Sequence, residues 1–129
     1  MMEFCEIVRI PEERVKILKQ AILEIESKLG VTIMIEGNEI TVAGESLELL
    51  KAKNYVLAIG RGFNPRKASY LLHDDYSLDV INVKDFAKSR NAVVRLKGRV
   101  IGGNGRARKS IEKATNTFIR VYGKTVSII

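Results

Sequence analysis

The chain has 129 residues, of which 46% are hydrophobic and 29% charged, so it can fill a core and is too short for a large multidomain enzyme. A single cysteine and a single histidine exclude an internal disulfide and argue against structural zinc, and we expect no metal ion and no cofactor. The formal net charge of +7 favours a polyanionic partner.

The first half of the chain predicts the order β-α-α-β-β-α. Phe4–Ile10 is expected to form the opening strand, with Cys5 as a small core residue. Apolar residues recur at helical spacing from Pro11, which can occupy the first helical position, to Leu29, and Gly30 is expected to end this helical region. A hairpin turning at Gly37-Asn38, a helix over Glu45–Ile59 and a further helix from Asn64-Pro65 to about Leu72 follow.

The second half predicts the same order without its last helix. A strand over Ser77–Val83 precedes a helix over Asn91–Ile101. The loop Gly102-Gly103-Asn104-Gly105 follows, then a basic helix from Arg106 to about Thr115 and a hairpin turning at Gly123-Lys124. We therefore expect an α+β fold whose second copy lacks its closing helix, which leaves one face of its sheet uncovered unless another segment packs there.

A weak internal repeat supports this symmetry. Residues 25–43 align without a gap with residues 111–129, at an offset of 86. Four identities could arise by chance, so the repeat matters because both copies predict the same elements. The identical pairs are Ile25/Ile111, Glu26/Glu112, Ile33/Ile119 and Gly37/Gly123.

The positive charge is confined to one part of the chain. Residues 1–87 hold 11 Lys/Arg against 14 Asp/Glu, a balance of −3. Residues 88–129 hold 11 Lys/Arg against the single acid Glu112, a balance of +10. This asymmetry indicates that a polyanion meets the last third of the chain, and a solvated basic face that only aids solubility is the plain alternative.

The glycine-rich loop lies where this positive charge is concentrated. Glycine has no Cβ, so the loop lets backbone N–H groups approach a sugar-phosphate chain. The following helix adds the positive end of its dipole and the charges of Arg106, Arg108 and Lys109. The pattern predicts a phosphate clamp, and the order of elements matches the KH module, which grips about four nucleotides of single-stranded nucleic acid. A tight helix corner that needs glycine only for packing is the alternative.

The first copy lacks such a clamp. Its aligned positions hold Lys16, Ile17, Leu18 and Lys19, without glycine and within an acidic segment. We therefore expect a degenerate KH fold that does not bind RNA and serves as a scaffold or a protein-interaction surface.

Four blocks of sequence carry a family resemblance, namely Ala58–Pro65 (AIGRGFNP), Leu71–Tyr76 (LLHDDY), Leu96–Gly102 (LKGRVIG) and Val121–Val126 (VYGKTV). In this order they resemble the archaeal and eukaryotic two-KH ribosome-assembly factors of the partner-of-Nob family. The resemblance implies two tandem type I KH domains. Residues 1–75 would form a degenerate first domain with a linker helix, and residues 76–129 a second domain with GxxG that is incomplete at its C-terminus.

The resemblance also implies a function. Members of this family bind the 3′ region of small-subunit ribosomal RNA during maturation and assist the endonuclease that trims it, and in archaea they contact the alpha subunit of translation initiation factor two. Ile111 and Ile119 could form an apolar floor for bases or be plain core, and Phe118 and Tyr122 could stack on bases or pack in the core. The RNA-binding residues carried over by position are Arg99, Ile101, Gly102, Gly103, Asn104, Gly105, Arg106, Arg108, Lys109 and Arg120.

Catalytic alternatives are weak. Residues 103–110 approach the nucleotide-binding pattern G-x-x-x-x-G-K-[ST], but Arg108 stands where the second glycine is needed. Asp74 and Asp75 indicate a solvated turn, so we expect no enzyme. The sequence has no membrane-length apolar run and no signal peptide, and we expect a cytoplasmic protein without membrane contact. The main alternative to RNA binding is a protein-interaction adaptor for which RNA binding is secondary.

Overall fold

The computed structural model describes residues 3–129, which form two compact units. Unit 1 ends at Ser77, and unit 2 comprises Leu78–Ile129. Each unit combines a three-stranded antiparallel sheet with its own helices, so the predicted mixture of helices and antiparallel sheet is confirmed.

Unit 1 has the element order β-α-α-β-β-α, followed by two short helical turns. Its elements are β1 (Phe4–Arg9), α1 (Glu12–Lys19), α2 (Ile22–Leu29), β2 (Thr32–Glu36), β3 (Glu39–Gly44), α3 (Ser46–Gly60), α4 (Pro65–Ala68) and a 3-10 turn (Ser69–Leu72). The sheet has the strand order β1-β3-β2, and both strand pairs are antiparallel. The side chain of Asn64 accepts a hydrogen bond from the Lys67 backbone N–H at 2.8 Å, which confirms the predicted cap of α4.

The core of unit 1 lies between one face of the sheet and helices α1, α2 and α3. On β3 the alternate residues Ile40 and Val42 are completely buried, as expected for a strand with one covered face. The end of α3 is held by Arg14, because its guanidinium donates to the carbonyl oxygens of Ile59 at 2.8 Å and of Phe63 at 2.7 Å. These bonds satisfy carbonyl groups at and just beyond the end of the helix, where intrahelical donors run out.

Unit 2 repeats this order as far as its second hairpin strand. Its elements are β4 (Asp79–Asn82), a 3-10 turn (Val83–Asp85), α5 (Arg90–Ile101), a 3-10 turn (Gly103–Gly105), α6 (Arg106–Thr115), β5 (Ile119–Tyr122) and β6 (Thr125–Ile128). The sheet has the order β4-β6-β5, again antiparallel throughout. A small core of Val83, Ile119 and Val126 is covered by apolar side chains of α5.

The internal repeat has a structural basis in both units. The carboxylate of Glu26 accepts the Ile33 backbone N–H at 3.0 Å, and that of Glu112 accepts the Ile119 N–H at 2.8 Å. Each bond joins the second helix of its unit to the first strand of the hairpin. Helices α2 and α6 end in left-handed residues 86 positions apart, and the glycines of both hairpin turns also have positive φ angles. The identical pairs Glu26/Glu112 and Gly37/Gly123 therefore have the same structural role in both units.

Several predictions for unit 1 are wrong in detail. Pro11 precedes α1 with an extended ψ of 141° instead of occupying its first helical position. The residues aligned with GxxG, Lys16–Lys19, lie inside α1, and the link between α1 and α2 is Gln20-Ala21. An ungapped alignment fails here because α2, with 8 residues, is shorter than α6, with 10, and because the link in unit 1 is also shorter than the loop Gly102–Gly105. Cys5 is exposed instead of buried, because it lies an odd number of residues from the buried Val8 and faces the other side of the sheet.

In unit 2, α6 and the hairpin turn have the predicted positions, but the first strand is shorter than Ser77–Val83. The side chain of Asn82 accepts the Lys84 backbone N–H at 3.0 Å, and this bond starts a 3-10 turn that carries Val83 into the core.

Within the described residues unit 2 has no counterpart of α3, which in unit 1 covers the same sheet face as α1 and α2. On the corresponding face of unit 2, where α5 packs, Val126 is buried whereas Ile81, Val121 and Ile128 are half-buried, so the expected uncovered face is found only in part. The opposite face of the central strand is covered, because Thr125 and Ser127 of β6 are buried.

Candidate nucleic-acid interface

Two glycines of the loop between α5 and α6 have different structural roles. Gly102 has φ 71° and ψ 176°, a conformation that is essentially restricted to glycine. A Cβ atom at this position would lie 2.7 Å from both the Cβ and the backbone N of Ala107. Gly103 is exposed, and a Cβ there would meet no atom within 4 Å. Gly102 thus brings the two helices together, whereas Gly103 keeps the tip of the loop open.

The tip of the loop is held by backbone hydrogen bonds. The Gly102 N–H donates to the Gly98 carbonyl at 2.8 Å, and the Gly105 N–H donates to the Gly102 carbonyl at 3.2 Å. Asn104 and Gly105 adopt left-handed conformations, with φ angles of 55° and 73°. Asparagine tolerates this region better than most residues, so its presence at the tip fits the backbone. The loop therefore presents Gly103 and Asn104 to solvent in a defined conformation.

Two free cations lie just beyond this tip. Arg106 and Lys109 are exposed in the first turn of α6, and neither forms an ion pair with another residue of the described range 3–129. The positive end of the helix dipole points to the same place. The arrangement suits an anion placed against the loop, as at other helix N-termini that hold phosphate.

Arg108 has a different environment from its neighbours. Its Nη1 atom lies 3.0 Å from Oε1 of Glu112, one helical turn further on, and both side chains are largely shielded from solvent. Its Nη2 atom would lie 3.6 Å from a Cβ placed on Gly105. Arg108 therefore lies beside Gly105 and pairs within α6, so part of its charge is neutralised inside the unit.

The predicted apolar floor is only partly assembled. Ile119 is 4% exposed and belongs to the core, whereas Ile111 is 41% exposed on α6 and is not core, although its counterpart Ile25 is buried. Ile101 is half-buried at the end of α5. Of the two alternatives, core packing therefore holds for Ile119, whereas for Ile111 core packing is wrong and a contact with bases stays a prediction.

The structure does not bring Arg120 together with the loop helices. Arg120 alternates on β5 with Ile119 and Val121, which face the core beneath α5, so its side chain lies on the opposite face of the sheet. Phe118 and Tyr122 share that opposite face and are half-buried. Strand alternation around a buried isoleucine is a sequence signal that could have separated these residues from the clamp.

Arg99 belongs to a feature that the sequence did not single out. With Phe86, Ala87, Ala92, Arg95 and Leu96 it lines a cleft of about 320 Å³ between α5 and the segment that precedes it; we call this the Phe86 cleft. Phe86 is 74% exposed. An aromatic residue just ahead of a basic helix was the available signal, but its exposure could be read only from the fold.

Two further charged pairs lie outside the loop, one in each unit. Lys84 lowers the pKa of Lys124 through a side-chain hydrogen bond and through repulsion between like charges, so positive charge also gathers at the hairpin turn of unit 2. In unit 1, Lys51 lies 2.6 Å from Asp74 and lowers the pKa of this exposed carboxyl, which agrees with the predicted solvated turn. Across residues 3–129 no group of three or more potential metal ligands comes together, and none of the helices there is long and apolar enough to span a membrane.

Comparison with known families identifies the class of unit 2. The family model of the eukaryotic type KH domain (KH domain type I), built on the second KH domain of PNO1 proteins, matches residues 77–129. The GxxG loop between two helices of unit 2 is therefore the loop of a type I KH domain.

Individual relatives extend the match to nearly the whole chain. Dim2p from Pyrococcus horikoshii OT3 is 37% identical, with a TM-score of 0.89 over 97% of this chain and 80% of that one. The archaeal Dim2p in a complex with a/eIF2alpha and rRNA from the same organism is 36% identical, with a TM-score of 0.90 over 99% of this chain and 76% of that one. The chain belongs to the family of KH-domain proteins that includes archaeal Dim2p.

A curated relative is longer than this chain. The KH domain-containing protein of Methanocaldococcus jannaschii is 43% identical over 134 residues, which cover 96% of this chain and 59% of the relative. The chain thus spans less than two thirds of that protein.

Proposed function

We propose that unit 2 binds single-stranded RNA at the GxxG loop and the start of α6. The observation that carries this proposal is the exposed loop tip, Gly103 and Asn104, set at the N-terminus of a helix whose first turn offers Arg106 and Lys109 without ion-pair partners in the described chain. A phosphate can approach the backbone at Gly103 because no side chain blocks it, and the helix dipole and both cations attract it. Ile101 and the exposed Ile111 offer apolar contacts for bases beside this clamp.

The proposed RNA is small-subunit ribosomal RNA near its 3′ end, bound during ribosome biogenesis in the cytoplasm. The relative from Pyrococcus horikoshii whose structure contains rRNA and a/eIF2alpha supports both the RNA and the alpha subunit of translation initiation factor two as partners. The endonuclease that trims this RNA is a further proposed partner, inferred from the family resemblance. The protein acts here by binding and positioning RNA and is not itself an enzyme.

Unit 1 completes the proposal as a degenerate type I KH domain in tandem with unit 2. It has the same order of elements and the same sheet order, and its second helix makes the same carboxylate bond to the hairpin. Its helices α1 and α2 are joined by Gln20-Ala21, a link without glycine that offers no open backbone. We assign unit 1 the role of a scaffold or protein-interaction surface.

The test replaces both tip residues by aspartate, in the double variant Gly103→Asp with Asn104→Asp. The structure has room for a side chain at Gly103, and aspartate has nearly the same size as the asparagine it replaces, so the variant should fold with an unchanged circular dichroism spectrum. Two carboxylates facing phosphates should weaken binding to a small-subunit rRNA oligonucleotide by about a hundredfold or more. The uncharged variant Gly103→Asn is the matched control: its side chain crowds the approach of the phosphate without adding charge, so it should bind more weakly than the wild type and much more tightly than the double variant. Equal affinity of the double variant and this control would exclude the clamp.

A second candidate function is a protein-interaction adaptor in which RNA binding is secondary. It is favoured by the acidic balance of the first part of the chain and by Ile7 and Met34, which are 59% and 66% exposed on unit 1. The Gly103→Asp, Asn104→Asp variant separates the two functions, because it should lose rRNA binding and keep binding to the alpha subunit of translation initiation factor two. If cells that carry this variant assemble ribosomes normally, the adaptor is the main function.

A further inference from the structure

Phe86 is an aromatic side chain that the fold holds toward solvent. The backbone N–H groups of Phe86 and Ala87 both donate to the Val83 carbonyl, at 3.0 and 3.1 Å. Val83 and Ala87 are buried, so the backbone on either side of Phe86 is fixed to unit 2. Phe86 as a whole is nevertheless 74% exposed. A large exposed apolar side chain on an anchored turn is suited to ligand binding, because the backbone of the turn is already ordered and loses little conformational entropy when the ligand binds.

The Phe86 cleft combines this ring with a basic wall. Ala92, Arg95 and Arg99 lie three or four residues apart on α5 and share one face of the helix. Ala87, Ala92 and Leu96 form the apolar lining, and no acidic residue lines the cleft. Within residues 3–129 neither Arg95 nor Arg99 forms an ion pair or a side-chain hydrogen bond.

These groups match the chemistry of a nucleotide. An exposed aromatic ring can stack on any base, since every base has a π face, and such stacking does not require a particular sequence. A guanidinium can hold a phosphate through two hydrogen bonds or stack on the base itself. A cleft of about 320 Å³ lies within the range of small-molecule sites and can take one nucleotide.

The position of the cleft connects it to the loop. Arg99 lies three residues before Gly102, which is about 4.5 Å along the axis of α5. An RNA strand held at the GxxG loop can therefore continue along α5 into the cleft. We propose that the Phe86 cleft is a second nucleotide-binding subsite, which takes one base and its phosphate from the RNA that flanks the segment clamped at the loop. This proposal rests on the proposed RNA binding of unit 2.

The first test uses tryptophan fluorescence, because the chain contains no tryptophan. The variant Phe86→Trp places a single reporter in the cleft. An rRNA oligonucleotide of about twelve nucleotides should quench the tryptophan fluorescence, with half of the change at the RNA concentration that half-saturates binding in an anisotropy titration. An oligonucleotide of about four nucleotides, which fills only the loop, should quench the fluorescence little. Leu23→Trp, at an exposed site on α2, is the control and should not respond. Bound long RNA with unchanged Phe86→Trp fluorescence would overturn the proposal.

The second test measures affinity for the same two RNAs. Phe86→Ala and Arg95→Ala should each weaken binding of the long RNA by about tenfold and leave the short one unchanged, and Phe86→Tyr should retain the wild-type affinity. Arg66→Ala removes the same charge from an exposed site on unit 1 and should change neither. If Phe86→Ala binds the long RNA as the wild type does while the Gly103→Asp, Asn104→Asp variant binds neither RNA, the cleft proposal alone fails. If that double variant binds both RNAs normally, the proposed function fails as well.

Discussion

At the scale of single residues, the two leading glycines of the GxxG loop should respond differently to substitution. Gly102→Ala forces a side chain into a conformation restricted to glycine and against Ala107, so we expect a loss of stability on the order of 3 kcal/mol. Gly103→Ala meets no atom and should change stability little. Urea denaturation measures both. Equal effects of the two substitutions would contradict the tasks assigned to these residues.

Tyr55 should make the stability of unit 1 depend on pH in the alkaline range. Burial, with a smaller contribution from the carboxylate of Glu24, raises the pKa of Tyr55 from 10.0 to about 12. The folded state favours the neutral phenol, so its contribution to stability is complete below pH 10.0 and is lost as the pH rises to about 12. Tyr55→Phe should be less sensitive than the wild type in this window. Urea midpoints measured on both proteins test this, and parallel curves would count against it.

At the scale of elements, the carboxylate bond between helix and hairpin should stabilise both units. Glu112→Ala leaves the Ile119 backbone N–H without its partner and should cost about 1–3 kcal/mol, with faster hydrogen exchange at that amide. Glu112→Gln keeps an acceptor oxygen and serves as the control. The same pair of substitutions at Glu26 should act on the Ile33 amide. Unchanged exchange at Ile119 in Glu112→Ala would show that the bond contributes nothing.

Elements with local signals could be predicted from the sequence. The two hairpin turns follow from glycine in a two-residue turn, and α6 begins directly after the last glycine of the loop. Cys5 and Arg120 were misplaced because the face of a strand depends on which neighbour is buried. The Phe86 cleft could not be predicted, since it forms only when the 83–85 turn packs beside α5. The sequence therefore predicted turns and the start of a helix, whereas the side of the sheet on which a strand residue lies and the packing of the turn beside α5 became known only from the structure.

At the scale of the whole molecule, charge should govern RNA affinity. The balance of +10 in residues 88–129 against −3 before them predicts binding that weakens steeply with salt. For about four clamped nucleotides we expect a log-log slope of roughly −2 to −3, or about −0.7 for each phosphate contacted. Arg106→Ala should reduce the magnitude of the slope by about 0.7, and Arg66→Ala should not change it. A slope near zero would leave RNA binding without its electrostatic basis.

The central claim is that unit 2, and not unit 1, holds the RNA. Ultraviolet crosslinking of the whole chain to small-subunit ribosomal RNA, followed by identification of the crosslinked peptides, tests it most directly. We predict crosslinks in the peptides that contain residues 99–109, and at Phe86 when the RNA extends beyond the loop. Crosslinks confined to residues of unit 1 would contradict the claim.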